Sequence, residues 1–311
     1  MKAWLLACLF SGIHPGQAPS VRLPDESEGI AGVVRTLISA FDQVDIVGLG
    51  EDHESKEGSD LRIALVRHPD FAKKVRSIVV EFGSTTSQST LDRYIRGENV
   101  PRAQLEQVWK TTTQGADTWT TPIYPAFFAA VRDVNSKLPA SARIRVFGGD
   151  PGPGDGRNRD TAAVSLLKEQ VIRQHGKALV IYGAAHFFRT EGDVADVFND
   201  GGEGTMMMKL GAEYPGRTLA VLPVGGPPTH TKISGPDTAD YGKFDRALRT
   251  QVRPVLVPLR RPPFRDFTAE EFIGRKLLTG LRGPGLVSVF KGSKLTLGQL
   301  ADACAYFGHS Q

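Results

Sequence analysis

The chain has 311 residues, 40% hydrophobic and 23% charged, with a formal net charge of +4. That is globular composition, long enough for a large core. The basic residues are spread out, with no Lys/Arg block interleaved with aromatics to mark a nucleic-acid surface, and two cysteines, Cys8 and Cys304, exclude a disulfide framework or a CxxC metal site.

The N-terminus, "MKAWLLACLFSGIHPGQAPS", reads as a secretory leader: Lys2, an apolar stretch Ala3–Phe10, then breaks at Gly12, Pro15 and Gly16. Cleavage is expected near Ala18, which makes residues 1–19 the leader and the protein exported, periplasmic or extracellular. Leu5-Leu6-Ala7-Cys8 also has the form of a lipoprotein box. No later stretch is long and apolar enough to span a bilayer. Residues 20–311 are expected to form a single domain, since no linker divides them.

Ile30, Val33, Val34, Leu37, Ile38 and Phe41 follow helical spacing and predict the first helix. Val44–Gly50 predicts the first buried strand. Leu61, Ala64, Leu65 and His68 form a weaker helical stripe, and Ser77–Gly83 predicts the second strand. Residues 88–138 are too long for one crossover and predict a helical insertion, with a stripe from Pro122 to Leu138 through Phe127, Phe128, Val131 and Val134. Ile144–Asp150 predicts the third strand. Gly148–Gly156, "GGDPGPGDG", reads as a loop, and Thr161–His175, carrying Val164, Leu167 and Val171, as a helix. Ala178–His186, Leu219–Gly225 and Val255–Leu259 predict three more strands, with an irregular stretch at Pro227–Asp240. Thr268-Ala269-Glu270-Glu271 is a capping box, Thr268 placed to accept from the Glu271 backbone. Most of the strand runs are continuously apolar, as in parallel strands covered on both faces. The predicted fold is α/β: a mainly parallel central sheet with helices on both faces and the helical insertion.

Ligands of open α/β sheets bind beyond the carboxyl ends of the strands. The first strand delivers Glu51, Asp52 and His53 there, the second Glu81, the third Asp150 and the fourth His186. Polar groups of this kind are costly to bury unpaired, so their agreement in position points to one cleft. If extended geometry persists to residue 53, Glu51 and His53 share a side and Asp52 faces away. Gly48 and Gly50 let the backbone pass closely, as do the small residues Gly183, Ala184 and Ala185 before His186. Glu81 is expected to be ion-paired or raised in pKa. Arg159-Asp160 opens a helix: Arg159 reads equally as an anion or oxyanion ligand or as solvated, with Asp160 as an N-cap. Met206-Met207-Met208, His175, Trp109 and Trp119 read as structural. "GLGEDH" fails the dinucleotide fingerprint at His53, and no serine-hydrolase elbow or zinc-protease motif occurs.

The order "GLGEDH", "VVEFG", "YGAAH" (over Val44 to Arg189) resembles the erythromycin esterase/ChaN-like superfamily, which also includes Tiki and TraB proteins. The resemblance implies an α/β core with a cleft lined by these motifs. By position it makes His53 the general base, supported by Glu51, Glu81, His186 and Arg159. Esterase motifs space glutamate and histidine three apart; here they are two apart, as in the ChaN branch, which "QSTLDRYIRGENV" and Trp109 also resemble. That departure turns the reading away from macrolides.

Three functions follow. The favoured one is a hydrolase of a small ester, lactone or amide, needing no cofactor, with Asp150, Tyr182 and Tyr124 on the substrate side of the cleft. The second is a haem-binding uptake protein, with an axial ligand among Tyr94, Tyr124, Tyr182 and His186. The third is a metal-dependent hydrolase or Tiki-type protease using Zn²⁺ or Mn²⁺. The expected partner is a small molecule or haem.

Overall fold

The structure is a computed structural model that describes residues 21–190, 203–225, 246–248, 251–269 and 293–308. The expected leader, the stretch 227–240 and the Glu271 end of the capping box lie outside these residues. Its frame is a mixed eight-stranded sheet in the order β1-β7-β8-β6-β2-β5-β3-β4. The strands are β1 (Ser27–Glu28), β2 (Ile46–Glu51), β3 (Ser77–Ser84), β4 (Arg145–Asp150), β5 (Ala178–Gly183), β6 (Thr218–Gly225), β7 (Val255–Pro258) and β8 (Ala303–Gly308). The run from β8 through β6, β2, β5 and β3 to β4 is parallel, and β7 and β1 close one side antiparallel.

Helices cover both faces, and the strand residues alternate between two cores. Val47, Leu49, Ile78, Val80, Phe82, Leu179 and Ile181 face one core. On it pack α1 (Gly29–Ala40), α2 (Lys56–Arg67), α3 (Phe71–Lys74), α4 (Gln88–Ile95), α5 (Arg102–Lys110) and α6 (Ile123–Ser136). Ile46, Val79, Val180 and Tyr182 face the other, covered by α7 (Arg159–Gln170), α8 (Met206–Glu213) and α9 (Leu297–Leu300). Helices α4 to α6 are the predicted insertion, and Met206 and Met207 are core residues of α8. No helix among the described residues is long and apolar enough to cross a membrane.

Register positions the site. Ile46 and Ser77 both pair with Ala178, so β2, β5 and β3 start level. β2 and β5 also finish level, with Glu51 paired with Gly183, while β3 runs on to Ser84. Glu81 follows Val80, the last residue of β3 in register with β5. From there β3 shifts register against β4 before Ser84 pairs with Asp150. Such irregularities bend a strand and re-aim its side chains.

Several expected boundaries move. β5 ends at Gly183, and His186 sits in a 3₁₀ turn, Ala184–Phe187. Gly148, Gly149 and Asp150 belong to β4, so the glycine-rich loop starts at Pro151. β1 and β8 had no counterpart in the sequence reading.

Candidate active site

Strand β2 stops at Glu51, so His53 reaches its partner through a turn and not along the extended strand that the sequence suggested. The pairing itself forms: His53 Nδ1 lies 2.9 Å from Glu51 Oε1. Glu51 is buried, whereas 42% of the His53 side chain is exposed. With Nδ1–H donating to the carboxylate, Nε2 is left as the basic nitrogen. Burial opposes the imidazolium, but the Glu51 hydrogen bond and the charges of Glu51, Glu81 and Asp52 outweigh it and raise the His53 pKa above 6.5. The Trp119 ring meets the imidazole edge-on at 4.8 Å.

Glu51 is held from beneath. Arg62 of α2, 2% exposed, donates through Nη1 to Glu51 Oε2. Its guanidinium lies 5.2 Å from the Phe82 ring centroid and 5.5 Å from that of Tyr124. The Tyr124 hydroxyl donates to Glu51 Oε1 at 3.4 Å and accepts from the Glu54 backbone at 3.1 Å. Arg62 escaped sequence reasoning. The available signal was a charged residue on a buried helical stripe, with Leu65 and Val66 at i+3 and i+4.

A second cluster is deeper. Glu81, 1% exposed, accepts from the Gln114 side chain at 2.6 Å, the Gly183 backbone at 2.7 Å and the Arg159 guanidinium at 2.5 Å. His186 Nε2 lies 3.3 Å from the same carboxylate, and His186 Nδ1 lies 2.9 Å from Asp160. Burial alone would lower the His186 pKa; Glu81 and Asp160 reverse this and hold it at about 10, a stable imidazolium. Burial would raise Glu81, but His186, His53 and Arg159 keep it well below the usual carboxylate range. Asp160 is no N-cap. Asn158 caps α7 by accepting from the Asp160 and Thr161 amides, while Asp160 turns inward to His186 and the Met206 amide.

Gly183 joins the clusters. A carbon built on its Cα would stand 3.4 Å from both His53 Nε2 and Glu81 Oε2. The predicted close approach at Gly48 and Gly50 is also present: a Cβ would meet Phe187 at 2.4 Å from Gly48 and Pro223 at 2.7 Å from Gly50.

Glu51, His53, Glu81, His186 and Arg159 are thus brought together. The three residues expected on the substrate side are buried. Asp150 accepts from the Thr113 amide at 2.8 Å, the Thr113 hydroxyl at 2.6 Å and the Gly152 amide at 2.8 Å. Tyr182 is fully buried, stacked edge-on to His186 at 5.2 Å, its hydroxyl unpartnered among the described residues. Of the residues considered for haem, Tyr124 and Tyr182 are buried, both His186 nitrogens face carboxylates, and Tyr94 lies under the Arg132 guanidinium at 4.7 Å. Among the described residues no three His, Cys, Asp or Glu side chains group as a metal site. Glu51 and Glu81 are each paired with an arginine and a histidine of the protein.

No family model and no curated protein sequence matches this chain. Solved structures do. A Bacillus cereus protein superposes with a TM-score of 0.58 at 12% identity, over 90% of this chain and 91% of its own. A mutant of erythromycin esterase EreC in its open conformation gives 0.50 at 11% identity, over 89% and 94%. The haem-binding ChaN of Campylobacter jejuni gives 0.43 at 12% identity, over 62% and 86%. At such identity the likeness concerns architecture: this chain has the α/β fold of erythromycin esterase.

Proposed function

We propose that the chain is a hydrolase in which His53 activates water against a small ester, lactone or amide. The observation that carries this reading is the Glu51–His53 pair: a buried carboxylate holding Nδ1 of a histidine whose side chain is 42% exposed. The fold shared with an esterase supports it at the level of architecture.

The attacking water is assigned to the side of Gly183 that faces His53 Nε2. His53 takes its proton as the oxygen adds to the substrate carbonyl, and Glu51 stabilises the imidazolium. The tetrahedral intermediate then collapses, the bond to the leaving group breaks, and His53 returns the proton to that group. Positive charge at the cleft comes from Arg159, partly exposed beside Glu81. His186 supports the site from behind: with both nitrogens held by carboxylates it locks Glu81 and Asp160 rather than donating to an oxyanion.

The test is a panel of esters, lactones and amides offered to wild type and His53→Ala. Turnover by wild type and its loss in His53→Ala is the expected result. Full turnover in His53→Ala, or none in wild type, would sink the general-base reading.

A further inference from the structure

An acyl-transfer site needs donors aimed at the oxygen that becomes negative. His186 is committed to Glu81 and Asp160, which leaves that duty open. The loop between α5 and α6 offers a group for it. Gln114 Nε2 donates to Glu81 Oε1, the oxygen that also takes Arg159 Nη1, so the amide and the guanidinium stand side by side. A carboxylate held ionised can only accept, which fixes the amide with its nitrogen towards Glu81. A primary amide carries two N–H groups. One is used on Glu81, and that is the one hydrogen bond the Gln114 side chain makes among the described residues.

The segment is pinned at several points. Thr113, next to Gln114, is tied to the buried Asp150 by its amide and its hydroxyl. The Thr118 hydroxyl donates to the Gln114 carbonyl at 2.7 Å. Trp119 Nε1 donates to Thr112 at 3.1 Å, and its ring lies against His53. One loop therefore touches both halves of the site, His53 through Trp119 and Glu81 through Gln114. The buried Asp150 carboxylate is the anchor of that loop.

We propose that Gln114 is a catalytic residue, the uncharged oxyanion donor of this site, its free N–H aimed into the cleft by the Glu81 carboxylate and by the loop that Asp150 anchors. This rests on the hydrolase reading. Being neutral, the amide adds no charge to a cluster already balanced between Glu81, Asp160, Arg159 and His186, and it acts as the charge develops.

The test measures kcat and KM of wild type, His53→Ala, Gln114→Leu and Gln114→Asn on one cleaved ester, together with the exchange of the Gln114 side-chain amide protons by ¹⁵N NMR. Gln114→Leu is expected to lower kcat by about 10²–10³-fold with KM little changed, as for loss of one oxyanion donor. Gln114→Asn, with a shorter amide, should recover little. One amide proton should exchange slowly and the other fast. If wild type is active, His53→Ala is inactive and Gln114→Leu keeps its kcat, the proposal for Gln114 fails while the hydrolase reading stands. If no ester, lactone or amide of the panel is cleaved, the hydrolase reading fails, and two equally protected amide protons would overturn the free N–H independently.

Discussion

Glu51 joins His53 and Arg62 through its two oxygens: Oε1 lies 2.9 Å from His53 Nδ1, and Oε2 accepts from the Arg62 guanidinium. A buried carboxylate thus orients the exposed imidazole and is itself oriented by a buried cation. Removing one partner of a buried ion pair leaves an uncompensated charge and costs about 3–5 kcal/mol. Arg62→Met is expected to destabilise the protein by about that amount. Adding Glu51→Gln should restore part of the loss, as read by denaturant unfolding of both single variants and the double.

The second cluster links stability to pH. His186 has a folded pKa of about 10 against an ordinary 6.5, so the folded state holds its proton more tightly. Its contribution is fully present below pH 6.5 and fades as pH rises towards 10. The Tm of wild type should fall across that window. In His186→Gln the fall should be shallower, because the group that titrates is gone. Parallel curves for the two proteins would show that His186 is not held as a cation.

Two glycines separate packing from chemistry. A methyl at Gly48 would lie 2.4 Å from the Phe187 ring, an overlap the core has to absorb. Gly48→Ala is expected to cost about 1–3 kcal/mol, as overpacking does. A methyl at Gly183 would stand 3.3 Å from His53 Cε1 and 3.4 Å from Glu81 Oε2, a tight approach that a shift of a few tenths of an ångström in the partly exposed His53 ring relieves. It would fill the space assigned to the attacking water. Gly183→Ala should therefore melt near wild type and lose turnover, and the reverse pattern would remove Gly183 from the site.

What the sequence discloses follows from where the information lies. β2 to β7 are legible because runs such as "SIVVEFG" are apolar enough to be buried on both faces. β8 reads "ACAYFG", where small residues dilute the signal, yet the sheet places it between β7 and β6. Glu51, Glu81 and His186 are legible because each breaks or follows an apolar run at a strand end. Arg62, Asp160 and Gln114 are not, since they come from helices and a loop whose contacts exist only after the chain packs. Asp160 shows the limit plainly. At a helix start it reads as a cap, and only the placement of His186 beside α7 turns it into an ion-pair partner.

The most direct measurement of the central claim is the pH dependence of kcat/KM for wild type and Glu51→Gln on one cleaved ester. A general base works deprotonated, so activity should rise with pH through the His53 pKa. Glu51, with Glu81 and Asp52, raises that pKa above 6.5. The wild-type limb should have its midpoint above 6.5, and Glu51→Gln should move it downwards while lowering the plateau. A limb that stays in place when Glu51 is neutralised, or a profile that falls as His53 loses its proton, would contradict the Glu51–His53 base.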